Sequence, residues 1–229
     1  MIKTATILLL LFFSTISAQN KNREPEPELF EGIHLISKFI SQNFSEPNID
    51  LSLNEKITLN QKVIDKVYFY AIEIYNGNIS EALLALTFAT LPFNKIEIAL
   101  PFNRQLVLKL PSANKNLFQL KNKYLPKYFL FDSPNNNFGD KDKLAHFFGS
   151  AFLSYNFPFF NFSNLLGIFI EMFEETFSIK GGMDFRDLEI NNLGAQFGKS
   201  LDDNFQLPPS FFFKVFNLFY IRVNHLENI

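Results

Sequence analysis

Asp142-Lys143-Leu144-Ala145-His146-Phe147-Phe148-Gly149-Ser150-Ala151-Phe152-Leu153-Ser154-Tyr155 is the stretch whose reading decides the fold. It predicts a helix over Lys141–Asn156, with Asp142 and His146 four residues apart on one face. Gly149 lies near the same stripe, where a neighbouring helix could come close. Further along, Asn161–Ile179, Asp184–Leu201 and Pro209–Asn224 read as three more helices, the last with Pro209 in its first turn. The fold class expected is mainly α. A bundle of about four helices over 140–229 follows a helical region carrying one β-hairpin.

The other polar residues of this half also fall on helical stripes. Glu171 and Glu174 are three apart, and Glu171 sits inside the apolar run Leu165 to Phe173, where an unpaired carboxylate is costly. At 100° per residue, Asp187, Asn191, Gly194 and Gly198 fall within about 60° of one another. That stripe is polar at one end and free of side chains at the other. If the three stripes face each other, Asp142, Lys143, His146, Glu171, Glu174, Asp187 and Asn191 converge in an apolar bundle. Such a cluster must share protons, pair with Lys143 or Arg186, or hold a cation. His146, Glu171, Glu174 and Asp187 are the candidate metal ligands or proton-transfer groups. No cofactor is required by the sequence, but a divalent metal would suit this set.

Each residue also has a plainer reading. Asp142 follows a Gly-containing loop, where N-caps sit. One histidine gives no His-x-x-His or Glu-x-x-His signature. Glu171 and Glu174 could form a solvated face, and Asp184 and Asp187 could be the cap and early-turn acids of their helix. Gly149, Gly194 and Gly198 would then be packing contacts. Ser150 has no evident base and orienting partner, so a serine hydrolase is not supported.

Upstream, Leu29, Ile33, Ile36, Phe39 and Ile40 recur at helical spacing. Asn48 to Leu59 is polar and turn-rich. Val63–Tyr75 and Ile79–Thr90 read as helices separated by Asn76-Gly77-Asn78, with Asn78 or Ser80 as a cap. Residues 95–110 read as a β-hairpin turning at Phe102-Asn103-Arg104. A lone hairpin is marginal in water, so it is expected to lie against the helices. Ser112 to Lys123 could form another short helix. Asp132 to Gly139 is a loop by composition, and a boundary between a 29–131 region and the 140–229 bundle is expected there.

Met1-Ile2-Lys3, the apolar run Ile7 to Phe13 and the small residues ending at Ala18 follow the order of a secretory signal peptide over 1–18. The run is shorter than the roughly 20 residues a membrane span needs. A polar, Pro-rich tether over 19–28 would follow cleavage. The expected location is therefore the periplasm or cell envelope.

Composition sets further bounds. With 229 residues, 47% apolar and 19% charged, the chain can bury a core. A net charge of −2 argues against nucleic acid as a partner. The absence of cysteine excludes disulfides, thiolate zinc sites and a lipidated N-terminal cysteine. There are 31 phenylalanines, and the Phe-rich helices raise partial insertion in a membrane, or docking on one, as an alternative to burial.

The order Asp142-Lys143-x-x-His146-Phe147, then Gly167 with Glu171 and Glu174, then Asp187-x-x-x-Asn191-x-x-Gly194 resembles the YfiM-type family of bacterial envelope proteins. It is more distantly similar to VanZ-like membrane proteins. The likeness covers about 60 residues, over 140–200. It implies a helical, envelope-located protein and carries no reaction with it. Ile170 stands where the family has lysine, Glu174 where it has Asp, and Phe185-Arg186 where it has Ser-Trp. Without cysteine, the family's lipid anchor does not carry over.

Three functions fit these residues. The favoured one is a non-enzymatic exported envelope protein whose polar stripes form a network between helices. A metal-dependent or acid–base enzyme acting on an envelope lipid or lipid-linked precursor is the second. A lipid or small-molecule binding module is the third. A membrane or envelope component is the expected kind of partner. Oligomeric state is left open by the sequence.

Overall fold

The computed structural model describes residues 25–45, 50–100, 104–158 and 185–226. The expected signal peptide, the expected 161–179 helix with Glu171 and Glu174, and Asp184 lie outside these residues. Within them the fold is mainly α with one β-hairpin, as the sequence predicts.

Helix α1 (Leu29–Asn43) forms on the expected spacing, and Ile33, Ile36 and Ile40 are fully buried along one stripe. Helix α2 (Leu53–Ile74) starts ten residues before the expected Val63, inside the stretch read as turn-rich. The cause is a capping box. The Glu55 backbone N–H donates to the Ser52 hydroxyl, and the Ser52 backbone N–H donates to the Glu55 carboxylate at 2.9 Å. Two otherwise orphaned donors are satisfied, and this outweighs the polar composition.

The end of α2 is equally explicit. Asn76 adopts a left-handed conformation (φ 51°), its N–H bonding Glu73 O while the Gly77 N–H bonds Ile72 O. That pair of bonds closes the helix as a Schellman turn. Asn78 then accepts from the Glu81 N–H at 3.4 Å and opens α3 (Ile79–Thr90).

Strands β1 (Lys95–Leu100) and β2 (Arg104–Lys109) pair antiparallel, from Lys95 opposite Lys109 to Leu100 opposite Arg104. The hairpin does not lie against the helices as expected. Leu106, Val107 and Leu108 are 44%, 50% and 38% exposed. It is held at its base by polar contacts instead of packing. The Leu110 N–H bonds Asn94 O at 2.9 Å, the Asn122 amide bonds Pro92 O at 2.9 Å, and the buried Lys121 ammonium bonds Leu91 O. Lys121 and Asn122 belong to α4 (Lys115–Tyr124), which Asn114 caps.

After α4 the chain crosses back over α2. Gln61 donates to Phe129 O at 2.9 Å and Asn60 accepts from the Lys127 N–H at 3.0 Å, which seats Leu125, Phe129 and Leu130 in the core. Three helices follow: α5 (Lys143–Asn156), α6 (Phe185–Ser200) and α7 (Pro209–Leu226). Asp65 on α2 accepts from the Ser210 N–H at 2.8 Å, satisfying a donor at the start of α7.

One hydrophobic core runs through both halves. It includes Ile33, Tyr68 and Leu86 from the first and Phe147, Phe197 and Phe213 from the second. Phe147 is the hub, with ring centroids 4.6 Å from Phe213 and 5.2 Å from Phe197. Such pairs add about 0.5–1.5 kcal/mol each beyond area burial. The 132–139 segment, expected to divide two parts, therefore joins two halves of a shared core. Among the described residues no helix is long and apolar enough to cross a membrane.

Candidate functional site

Helices α5 and α6 build the site, and glycine sets their distance. A methyl group built at Gly194 would overlap the Phe147 carbonyl oxygen, and one at Gly198 would overlap that of Ala151. Backbone therefore meets backbone along this seam. The contacts keep a nearly constant sequence offset. Lys143 meets Asp187, Ser150 donates to Asn191 Oδ1 at 2.9 Å, and Ser154 donates to Ala195 O at 2.8 Å. The two helices thus run parallel, with their polar residues in register. Gly149, the third expected packing glycine, faces elsewhere: its nearest neighbour is Thr87 on α3.

The polar end of the seam gathers Asp142, Lys143, His146 and Asp187. Lys143 Nζ lies 2.5 Å from Asp187 Oδ1 and 3.3 Å from Asp142 Oδ2. His146 Nε2 lies 3.7 Å from the same Asp187 oxygen, beyond a good hydrogen bond. The Lys143 side chain is 5% exposed, whereas those of Asp142, Asp187 and His146 are 25%, 30% and 39% exposed. A buried ammonium is thus clasped between two carboxylates that reach solvent. Asp142 does occupy the N-cap position of α5, but its carboxylate makes no capping bond. Asp187 sits in the first turn of α6.

Asp142, His146 and Asp187 could each offer one ligand atom to a metal, and these atoms lie within 4.8 Å of one another. Two carboxylates and one imidazole are a fitting donor set for a divalent cation. The Lys143 ammonium, however, already supplies the positive charge, and a metal would have to displace it. Glu171 and Glu174, the other expected ligands, are outside the described residues.

Beside the seam lies a network that the sequence reading missed. Arg186 Nε donates to Asp132 at 2.7 Å, and an Arg186 terminal nitrogen donates to Asp140 at 2.6 Å. Ser133 donates to the other Asp140 oxygen. Asp140 is completely buried. Burial pushes its carboxyl up, while Ser133 and Arg186 pull it back down. For Arg186, burial opposes the charge, but hydrogen bonds and attraction from Asp132 and Asp140 outweigh it and hold the guanidinium protonated. Gly139 (φ 58°) shapes the turn that delivers Asp140, whose N–H bonds Lys127 O at 2.9 Å. Arg186 was a candidate partner of the polar stripes; it pairs instead with the segment read as a linker. The available signal was two acids flanking a Gly-ended turn, which names no distant partner.

The apolar void among Ile40, Ile64, Val67, Leu144 and Phe148 is far smaller than a lipid chain. Comparison with protein-family models, with curated proteins and with solved structures finds no match to the chain.

Proposed function

We propose that this chain is an exported, non-enzymatic envelope protein in which the polar seam holds α5 and α6 in parallel register. The YfiM-like order of Asp142, Lys143, His146, Asp187, Asn191 and Gly194 supports the envelope assignment. The observation that carries the structural role is Lys143. Its buried ammonium lies between Asp142 and Asp187 and offsets one of their two charges, and the charge that remains is on carboxylates that reach solvent. Ser150 and Asn191 satisfy each other across the same seam. A network of this kind fixes helix register because any shift leaves buried polar groups unpaired.

A second reading is favoured by one observation, the convergence of Asp142, His146 and Asp187 within 4.8 Å at a partly exposed position. In that reading Asp142, His146 and Asp187 would hold a divalent metal in place of the Lys143 ammonium, and the metal would supply an activated water for chemistry on an envelope lipid or lipid-linked precursor. Elemental analysis of the purified chain beside His146→Ala and Asp187→Asn separates the two. The network role predicts no stoichiometric metal and a lower melting temperature for Asp187→Asn. A stoichiometric transition metal or zinc in the parent, lost from both folded variants, would overturn it in favour of the enzyme.

A further inference from the structure

The starts of α1 and α3 meet, and each carries an acid in its first turn, Glu31 and Glu81. Asn78 joins the two ends. Its amide donates to the Glu26 carboxylate at 2.8 Å, just ahead of α1, while its side-chain oxygen accepts from the Glu81 N–H. Three acids from separate segments are thus brought to one place. Glu26 and Glu31 are exposed, and Glu81 is half-buried. Burial and the charge of Glu26 both push the Glu81 carboxyl up, and no ammonium or guanidinium pairs with it among the described residues.

Helix N-termini favour Glu31 and Glu81 one at a time. They leave Tyr75 unexplained. Tyr75 is fully buried, yet its hydroxyl has no hydrogen-bond partner among the described residues. A buried phenol normally finds one. The hydroxyl lies against Gly32, the neighbour of Glu31 in sequence, where a methyl group would overlap it. The charges of Glu81, Glu26 and Glu31 all act on it, that of Glu81 most strongly. An orphaned buried oxygen therefore faces a group of acids that lacks a counter-charge.

We infer that Glu26, Glu31, Glu81 and the Tyr75 hydroxyl form a binding site for a calcium ion. Every donor is an oxygen and three of them are carboxylates, the set that a hard cation takes. Calcium suits it better than magnesium, because ligands from separate segments give an irregular shell and magnesium demands a near-ideal octahedron. The site is empty, and its carboxylates are not at ligand spacing; among the described residues that spacing is met at Asp142, His146 and Asp187. The exposed Glu26 and Glu31 side chains would turn onto the ion, against Glu81 and the packed Tyr75. A bound ion would pin the segment ahead of α1 to the starts of α1 and α3. This site stands apart from the polar seam and does not depend on its role.

The test is calorimetric titration of the whole chain with calcium chloride and with magnesium chloride at neutral pH, beside thermal melting. A partly exposed site of this kind is expected to bind calcium with a Kd of about 0.1–1 mM, and magnesium about ten-fold more weakly. Calcium at about ten times its Kd should raise the melting temperature by about 3–6 °C. Glu81→Gln and Glu26→Gln should each weaken binding about ten-fold, and the exposed position of Glu26 keeps its variant folded. Tyr75→Phe should weaken binding about three-fold, yet its calcium-free melting temperature should match or exceed the parent's, because it removes an unpaired buried hydroxyl. Asp187→Asn should leave calcium binding intact. Four results overturn the inference. One is the absence of calcium-dependent heat and stabilisation. Another is unchanged affinity in both glutamate variants. The third is unchanged affinity in Tyr75→Phe, which would reduce the site to a surface patch of acids. The last is loss of calcium binding in Asp187→Asn, which would place the ion at the seam.

Discussion

Replacing Lys143 by Met removes the ammonium but keeps most of the buried stem. Asp142 and Asp187 then face each other with their compensating charge gone. Breaking a fully buried ion pair costs about 3–5 kcal/mol. Here the carboxylates are a quarter to a third exposed, and water screens them, so about 1–3 kcal/mol is the reasonable range. For a chain of this size that lowers the melting temperature by roughly 2–12 °C. Adding Asp187→Asn to Lys143→Met should recover part of the loss, giving a coupling of about 1–2 kcal/mol. Urea denaturation of the parent, both single variants and the double variant at pH 7 measures this. Additive effects, with Lys143→Met within about 0.5 kcal/mol of the parent, would refute the view that Lys143 holds the seam together.

Other perturbations probe other parts of the fold. Gly194→Ala pushes a methyl group into the Phe147 carbonyl and should cost about 1–3 kcal/mol, read by thermal melting; an unchanged Tm would mean that α5 and α6 can separate freely. Arg186→Met leaves the buried Asp140 unpaired and should cost about 3–5 kcal/mol at neutral pH. That variant should regain stability as pH falls, since the native Asp140, its carboxyl pushed up by burial, holds a proton more tightly than the unfolded chain does. A denaturation series against pH would show no such recovery if Asp140 were solvated. Burial pushes the Lys121 ammonium down to about 7 from 10.5, so the unfolded chain binds more protons between those values. Stability should therefore rise with pH across that window by up to a few kcal/mol. Lys121→Met should abolish the rise, and a pH-independent parent would show that the Leu91 carbonyl and the Phe118 ring already offset the burial.

The sequence by itself determined what depends on near neighbours. Helical spacing placed α1, α3, α5, α6 and α7 to within a few residues, because an apolar stripe at that period can be buried only as a helix. The Asn76-Gly77-Asn78 punctuation located the α2–α3 turn for the same local reason. The capping box of Ser52 and Glu55 was equally local, yet the polar composition around it masked the start of α2. The narrow stripe of Asp187, Asn191, Gly194 and Gly198 showed that one face of α6 was built for close approach, since helix geometry fixes which residues share a face.

Tertiary structure alone decided what meets that face. The parallel pairing of α5 with α6, and the clasp of Lys143 between Asp142 and Asp187, join residues more than forty positions apart. So does the pairing of Arg186 with Asp132 and Asp140, which turned an apparent linker into a buried ionic node. The hairpin is the converse case. Its alternation named the strands, but whether a strand's apolar face is covered depends on which helices the rest of the chain brings to it. Among the described residues no helix covers Leu106, Val107 or Leu108. Local pattern fixes the shape of an element, because backbone bonds and side-chain period act over a few residues. Charge compensation and burial are set by the partners that long-range packing supplies.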